Sequence, residues 1–315
     1  MRLTSDYRLL TTLAIALCVS ACTTPEHEMI SGTATPPSLQ ELKQTRYRGI
    51  LPDPVRLTDG DYEGAPYVDG GAARPTVQLI ENLYLIGDLD GDGREEAAVV
   101  LVEQSSGSGT RLYLAIAGRD ADGAASNLAT VLIGDRVQII SASMDSGGVD
   151  MRLVRTGPED ACCCPGEIVS ARWTMTDGSL RLVSDKVEGR LNAAELSGSS
   201  WRLQEMERDG AKVEDTGITL NVEDHRVSGH SGCNNYFGDI QDGAGPGEIH
   251  IGPLAGTRMA CEPPIMELEN AYLRSLQTST RFSFLAGTLM LSSVDADGQI
   301  TQLRFFRQHA DSPGL

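Results

Sequence analysis

Asp88, Asp90, Asp92 and Glu96 stand at positions 1, 3, 5 and 9 of a D-x-D-x-D-G run, with Gly93 at the sharp turn. Carboxylate oxygens at alternate positions converge on one hard cation as a chain wraps around it, so these four residues are the candidate ligands of a Ca²⁺ ion. The loop departs from an EF-hand because position 12 is Val99, where a bidentate glutamate would stand. The same letters also spell an acidic β-turn that holds no ion, and the spacing alone leaves both readings open.

The remaining chemistry-bearing residues form no catalytic pattern. Gly229-His230-Ser231-Gly232-Cys233 approaches the G-x-S-x-G nucleophile elbow but carries cysteine where the last glycine is required. No H-E-x-x-H or S-x-x-K occurs, and His225, His230 and His250 are scattered. Cys162-Cys163-Cys164-Pro165 lacks C-x-x-C spacing and a nearby histidine; a structural bridge is expected there, and Cys162 to Cys164 is sterically easier than a bridge between neighbours. The reading leans against an enzyme. Its alternatives are a periplasmic hydrolase using acidic or metal-bound residues of the N-terminal half, or an inhibitor or ligand-binding protein.

The chain of 315 residues is long enough for two modest domains, and its many glycines with few aromatics favour short strands and turns. A net charge of −18 without a basic cluster excludes nucleic acid as a partner. Residues 1–21 carry Arg2 and Arg8 and an apolar run too short to span a bilayer, the pattern of a secretion signal. It ends in Val19-Ser20-Ala21-Cys22, which resembles a bacterial lipobox, so Cys22 is the expected lipidation site. Acyl chains there would anchor the protein to a membrane. Thr23, in place of Asp, implies the periplasmic face of the outer membrane. Residues 22–45 are polar and rich in proline, a flexible tether. Residues 46–190 alternate short apolar runs with turn signals, as in Val169 to Met175, and read as a mostly β domain containing the acidic loop.

Residues 195–310 form the second domain. Trp201, Leu203, Ile218, Leu220 and Val222 have strand periodicity, while Pro263 and Pro264 open a segment with Ile265, Leu268, Tyr272 and Leu276 at helical spacing. The expected fold class is mainly β, the second domain being an α+β unit with a curled antiparallel sheet covered by one helix. The turn Gly232-Cys233-Asn234, the segment Thr257-Arg258-Met259-Ala260-Cys261 and the helix containing Glu269 together resemble the META domain, the HslJ-like family of bacterial envelope proteins. The resemblance implies a disulfide between Cys233 and Cys261, structural roles for Asn234, Arg258 and Glu269, and a binding or stabilising module linked to envelope stress or drug tolerance. Its partner would be an envelope protein or a small ligand. Helical phase puts Glu269 on or at the edge of the inward face with Ile265, Leu268 and Tyr272, where a carboxylate needs Arg258 or backbone N–H groups to hold it; a shift of one residue in phase turns it instead to the helix flank and into solvent, and the spacing leaves both readings open.

Overall fold

The run Glu96–Gln104 is apolar at nearly every position, and a strand of that composition must be covered on both faces. In the computed structural model it is the middle of a five-stranded antiparallel meander. The strands follow chain order: Asp61–Glu63, Thr76–Gly87, Glu96–Gln104, Arg111–Arg119 and Ala125–Asp135. One face, with Ala98, Val100, Leu112 and Leu114, packs on Ile139, Met151, Ala171 and Trp173 of a four-stranded meander made by Gln138–Asp145, Gly148–Arg155, Glu167–Thr176 and Ser179–Arg190. The other face, with Val99, Leu101 and Tyr113, is covered by Leu42, Tyr47, Val55 and Leu57. The structure describes residues 35–105, 109–161, 163–208, 211–214, 217–294 and 300–308.

Part of the stretch expected to be a tether is packed. Ser38 and Glu41 form a reciprocal capping box on the short helix Leu39–Leu42, and Leu42 is fully buried. Arg119 reaches back to the Thr35 carbonyl at 2.9 Å and to Glu41, and the Tyr84 hydroxyl donates to the Pro37 carbonyl at 2.8 Å. Four residues cannot sustain a helix in isolation, so these bonds to the sheet hold it. Cys22 lies outside the described residues, as does Cys162. Among the described residues no helix is long and apolar enough to cross a membrane.

The C-terminal sheet runs in the order Ile249–Ile251, Asn235–Asp242, Arg226–His230, Thr219–Glu223, Ser199–Arg208, Ile300–Arg307, Thr288–Val294 and Arg281–Leu285. It curls until its ends meet: Phe282 N–H donates to the Gly247 carbonyl at 2.8 Å and Ile249 N–H to the Thr280 carbonyl at 2.9 Å. Closure removes the edges that would otherwise expose unpaired backbone groups. Alternate residues, among them Trp201, Leu203, Leu220, Val222, Leu291 and Phe305, point inward. The helix Pro263–Gln277 contributes Tyr272 and Leu276 to the same core. The expected mainly β class, with a curled antiparallel sheet and one main helix in its C-terminal part, is the observed one.

Candidate functional site

The turn between Arg226–His230 and Asn235–Asp242 is built from residues that each have one tolerable choice. A Cβ on Gly229 would collide with the Thr219 carbonyl of the neighbouring strand, and Gly232 has a φ of +106°, where side chains are strained. The turn is closed by Ser231 N–H donating to the Asn234 carbonyl at 2.8 Å.

Asn234 uses the full hydrogen-bonding capacity of its side chain. Its Nδ2 donates to Glu269 Oε2 at 3.0 Å and to the Met259 carbonyl at 3.3 Å. Its Oδ1 accepts from the Thr257 hydroxyl at 2.8 Å and from Met259 N–H at 2.7 Å. One amide therefore joins the turn, the Thr257-Arg258-Met259 segment and the helix. Aspartate could not donate, and a hydroxyl could not span the three. The disulfide between Cys233 and Cys261 clamps the same junction, with Cα atoms 6.1 Å apart.

Glu269 is buried and inward-facing. Its Oε1 accepts from Asn234 N–H at 3.0 Å and from the Ser231 hydroxyl. Burial alone would raise its pKa, but the hydroxyl, the amide and the backbone N–H outweigh burial and hold the carboxyl below the usual range. The partner considered from sequence, Arg258, is not one of them. Arg258 is exposed, and among the described residues nothing pairs with it. Ile265, expected to pack on the sheet, is instead 39 % exposed and sits against Gly232 of the turn.

Beneath this junction the Tyr236 hydroxyl donates to the Thr219 carbonyl at 2.9 Å and so accepts from Tyr272 at 2.7 Å. Burial pushes both phenols well up, and neither ionises near neutrality. Ser231, Thr257 and Tyr272 stand in the motifs read from the sequence, but their bonds to Glu269, to Asn234 and to Tyr236 were not among the expectations.

Above the junction lies a cleft of 690 Å³ whose walls include Arg258, Met259, Met266, Asn270 and Leu273. Its floor carries the saturated Asn234–Glu269 pair, and its rim carries Arg258 and the 55 % exposed Met259. Ser231 is wholly buried with its single proton engaged, and the exposed Thr257 hydroxyl donates to Asn234 Oδ1, so both hydroxyls serve the scaffold of the cleft.

The acidic loop brings Asp88, Asp90 and Glu96 together, with one oxygen from each lying within 4.8 Å of the others. Oxygens across one Ca²⁺ stand up to about 5 Å apart, so this spread fits a single ion. Asp88 also accepts from Gly91 N–H at 2.8 Å and Gly93 N–H at 3.1 Å, which shapes the turn. Glu96 accepts from Leu89 N–H at 2.8 Å; burial, with the nearby aspartates, pushes its pKa up. Asp92 faces away, tied to the Arg94 guanidinium, with its Oδ2 at 2.9 Å from Arg94 Nε.

Cys163 and Cys164 are free thiols whose Sγ atoms lie 2.6 Å apart, so the expected Cys162–Cys164 bridge is not formed; Cys162 itself lies outside the described residues.

Comparison with known proteins adds three findings. The META domain family model matches residues 194–310. A solved structure, the NMR structure of the protein from Burkholderia xenovorans, is 30% identical and covers 40% of this chain and 94% of its own, with a TM-score of 0.30. No curated protein matches the chain.

Proposed function

For a chain that belongs over residues 194–310 to the META domain family, we propose the role of a non-catalytic binding module of the bacterial envelope, anchored to the outer membrane through an acylated Cys22. One contrast carries the binding role. Asn234, Glu269 and Ser231 spend their polar groups on each other and on Thr257 and Met259, whereas the Arg258 side chain beside them lines a 690 Å³ cleft with no partner among the described residues. Fixed polar groups below and free ones above are the arrangement of a ligand cleft on a rigid scaffold. The ligand is a small molecule or a segment of an envelope protein. In the N-terminal part, Asp88, Asp90 and Glu96 hold a structural Ca²⁺ that stiffens the loop between two core strands.

The anchor and the role are tested separately. Cys22→Ala should leave the protein unacylated and shift it out of the membrane fraction; unchanged processing and fractionation would refute the anchor. A strain lacking the protein should be more sensitive to heat and to drugs, and the Arg258→Glu variant should fail to restore tolerance while folding normally. Indistinguishable strains would remove the stress role.

A further inference from the structure

A second cleft, of 560 Å³, opens where the five-stranded, four-stranded and C-terminal sheets approach one another. Leu83, Ile140 and Phe306 supply apolar wall, and Ser141, Gln204 and Arg307 supply polar groups. Three of the strands that reach it are irregular at that place. The register of Thr76–Gly87 shifts between Ile80 and Tyr84, that of Gln138–Asp145 between Ile139 and Ser141, and that of Ser199–Arg208 between Leu203 and Glu205. A bulge bends a strand and re-aims its side chains, and bulges from three sheets meeting at one cavity give it walls that regular strands would not.

Those walls are fastened by bonds of long sequence range. Asn82 Nδ2 donates to the Ala286 carbonyl at 3.0 Å and is 2.6 Å from the Thr288 hydroxyl. Phe284 N–H donates to Gln138 Oε1 at 2.9 Å, and Gly287 N–H to the Ile139 carbonyl at 2.8 Å. The cavity is therefore preformed.

Arg307 supplies the charge. Its guanidinium lies 4.8 Å from the centre of the Trp201 ring, an attraction that positions it while leaving its N–H groups in the guanidinium plane. Among the described residues no carboxylate claims it. Its neighbours are claimed: Arg152 lies 2.6 Å from both Glu188 and Glu195, and Arg304 lies 3.5 Å from Glu205. In a chain with 44 acidic and 26 basic residues, a guanidinium without a carboxylate at the edge of a cavity is a group available to a ligand. Burial, and then the charge of Arg152, lower its pKa, yet arginine stays protonated. The side chains of Gln204 and Ser141, both placed at bulges, likewise make no hydrogen bond among the described residues.

We propose that this cleft binds a small amphipathic carboxylate, its head on the Arg307 fork with Gln204 and Ser141 completing the hydrogen bonds, and its apolar body against Leu83, Ile140 and Phe306. The guanidinium fork matches a carboxylate through two parallel bonds. One unclaimed cation balances one negative charge, whereas a dianionic phosphate would need a second, and Arg152 is already engaged. The volume lies in the range of about 300–1,000 Å³ usual for small-molecule sites. None of these residues lines the Arg258 cleft, so the two sites stand or fall separately.

The test is titration of the ¹⁵N-labelled full chain with decanoate, decyl phosphate and 1-decanol. Decanoate should shift the amides of Ser141, Gln204, Gly287 and Thr288, and Arg307→Gln should weaken it by about tenfold, the scale of one charged bidentate pair. 1-Decanol should bind wild type and Arg307→Gln alike. Gln204→Trp, a change at an exposed position that fills the mouth, should abolish the shifts, and it decides the matter if Arg307→Gln does not fold. Unmoved amides at these positions, equal affinity of wild type and Arg307→Gln for decanoate, or tighter binding of decyl phosphate would overturn the proposal.

Discussion

Glu269 grips Asn234 twice, accepting its backbone N–H at 3.0 Å through one oxygen and its side-chain amide at 3.0 Å through the other. The carboxylate is thus a strut between helix and turn. Removing it strands two buried donors of Asn234 and leaves the Ser231 hydroxyl only the Asn234 carbonyl at 2.7 Å to donate to. Each unsatisfied buried group costs about 1–3 kcal/mol, so Glu269→Ala should lose about 3 kcal/mol in denaturant unfolding once partial relaxation is allowed. Asn234→Ala should lose a similar amount, and the double variant should lose much less than the sum. Arg258→Ala, by contrast, should change stability by under about 0.5 kcal/mol and add independently to Glu269→Ala. Coupling between Arg258 and Glu269 in that cycle would contradict the structure.

The disulfide joins residues 28 apart in sequence. Closing a loop of that size restricts the unfolded chain by about 3–4 kcal/mol in the chain-entropy model. Cys233→Ser with Cys261→Ser should lower stability by that amount, and mass spectrometry of the oxidised protein should find no free thiol at either position. Two free thiols in folded, oxidised protein would refute the bridge.

Acid should weaken the fold through identified carboxylates. Hydrogen bonds from the Arg119 guanidinium, and then from Ser38, lower the Glu41 pKa to about 2, and Glu269 is lowered by its own bonds. A folded-state pKa below the unfolded value means the unfolded chain binds more protons as pH falls. The stabilisation is therefore complete above the unfolded carboxylate range, near 4.5, and is lost as pH falls through the folded values. Carboxyl NMR should place the Glu41 midpoint at about 2. Arg119→Gln should return it towards 4.5.

Ca²⁺ should act in the opposite direction on Glu96, whose pKa burial raises when no cation is near. Calorimetry on the full chain at about millimolar Ca²⁺ should record binding and a raised melting temperature. Asp88→Asn and Glu96→Gln should each weaken it, while Asp92→Asn, a change to a residue bound to Arg94, should not. No heat and no shift in melting temperature would leave only an acidic turn.

The strands of the C-terminal sheet were legible in the sequence because a half-buried strand must alternate, as Leu220 and Val222 do against Asn221. The inward phase of Glu269 was legible for the same kind of reason, since helix periodicity is local. The sequence pattern also carried the Cys233–Cys261 pair, through its likeness to a family. The partner of Glu269 was not legible, since helix phase says which way a side chain points and not what crosses its path. Asn234 holds it, and Arg258 is exposed, because the Thr257–Met259 segment is fixed to the turn by its bonds to Asn234, by the pairing of Ala255–Gly256 with Tyr236–Phe237 and by the Cys233–Cys261 bridge. Burial of Leu42 inside a stretch composed like a tether depends likewise on the sheet surface it meets. Asp92 shares the spacing of Asp88 and Asp90, yet the turn's positive φ at Gly91 and Gly93 aims it at Arg94. The cleft at Arg307 belongs wholly to tertiary structure: its walls come from segments up to about 220 residues apart, and only folding decides which three bulges meet.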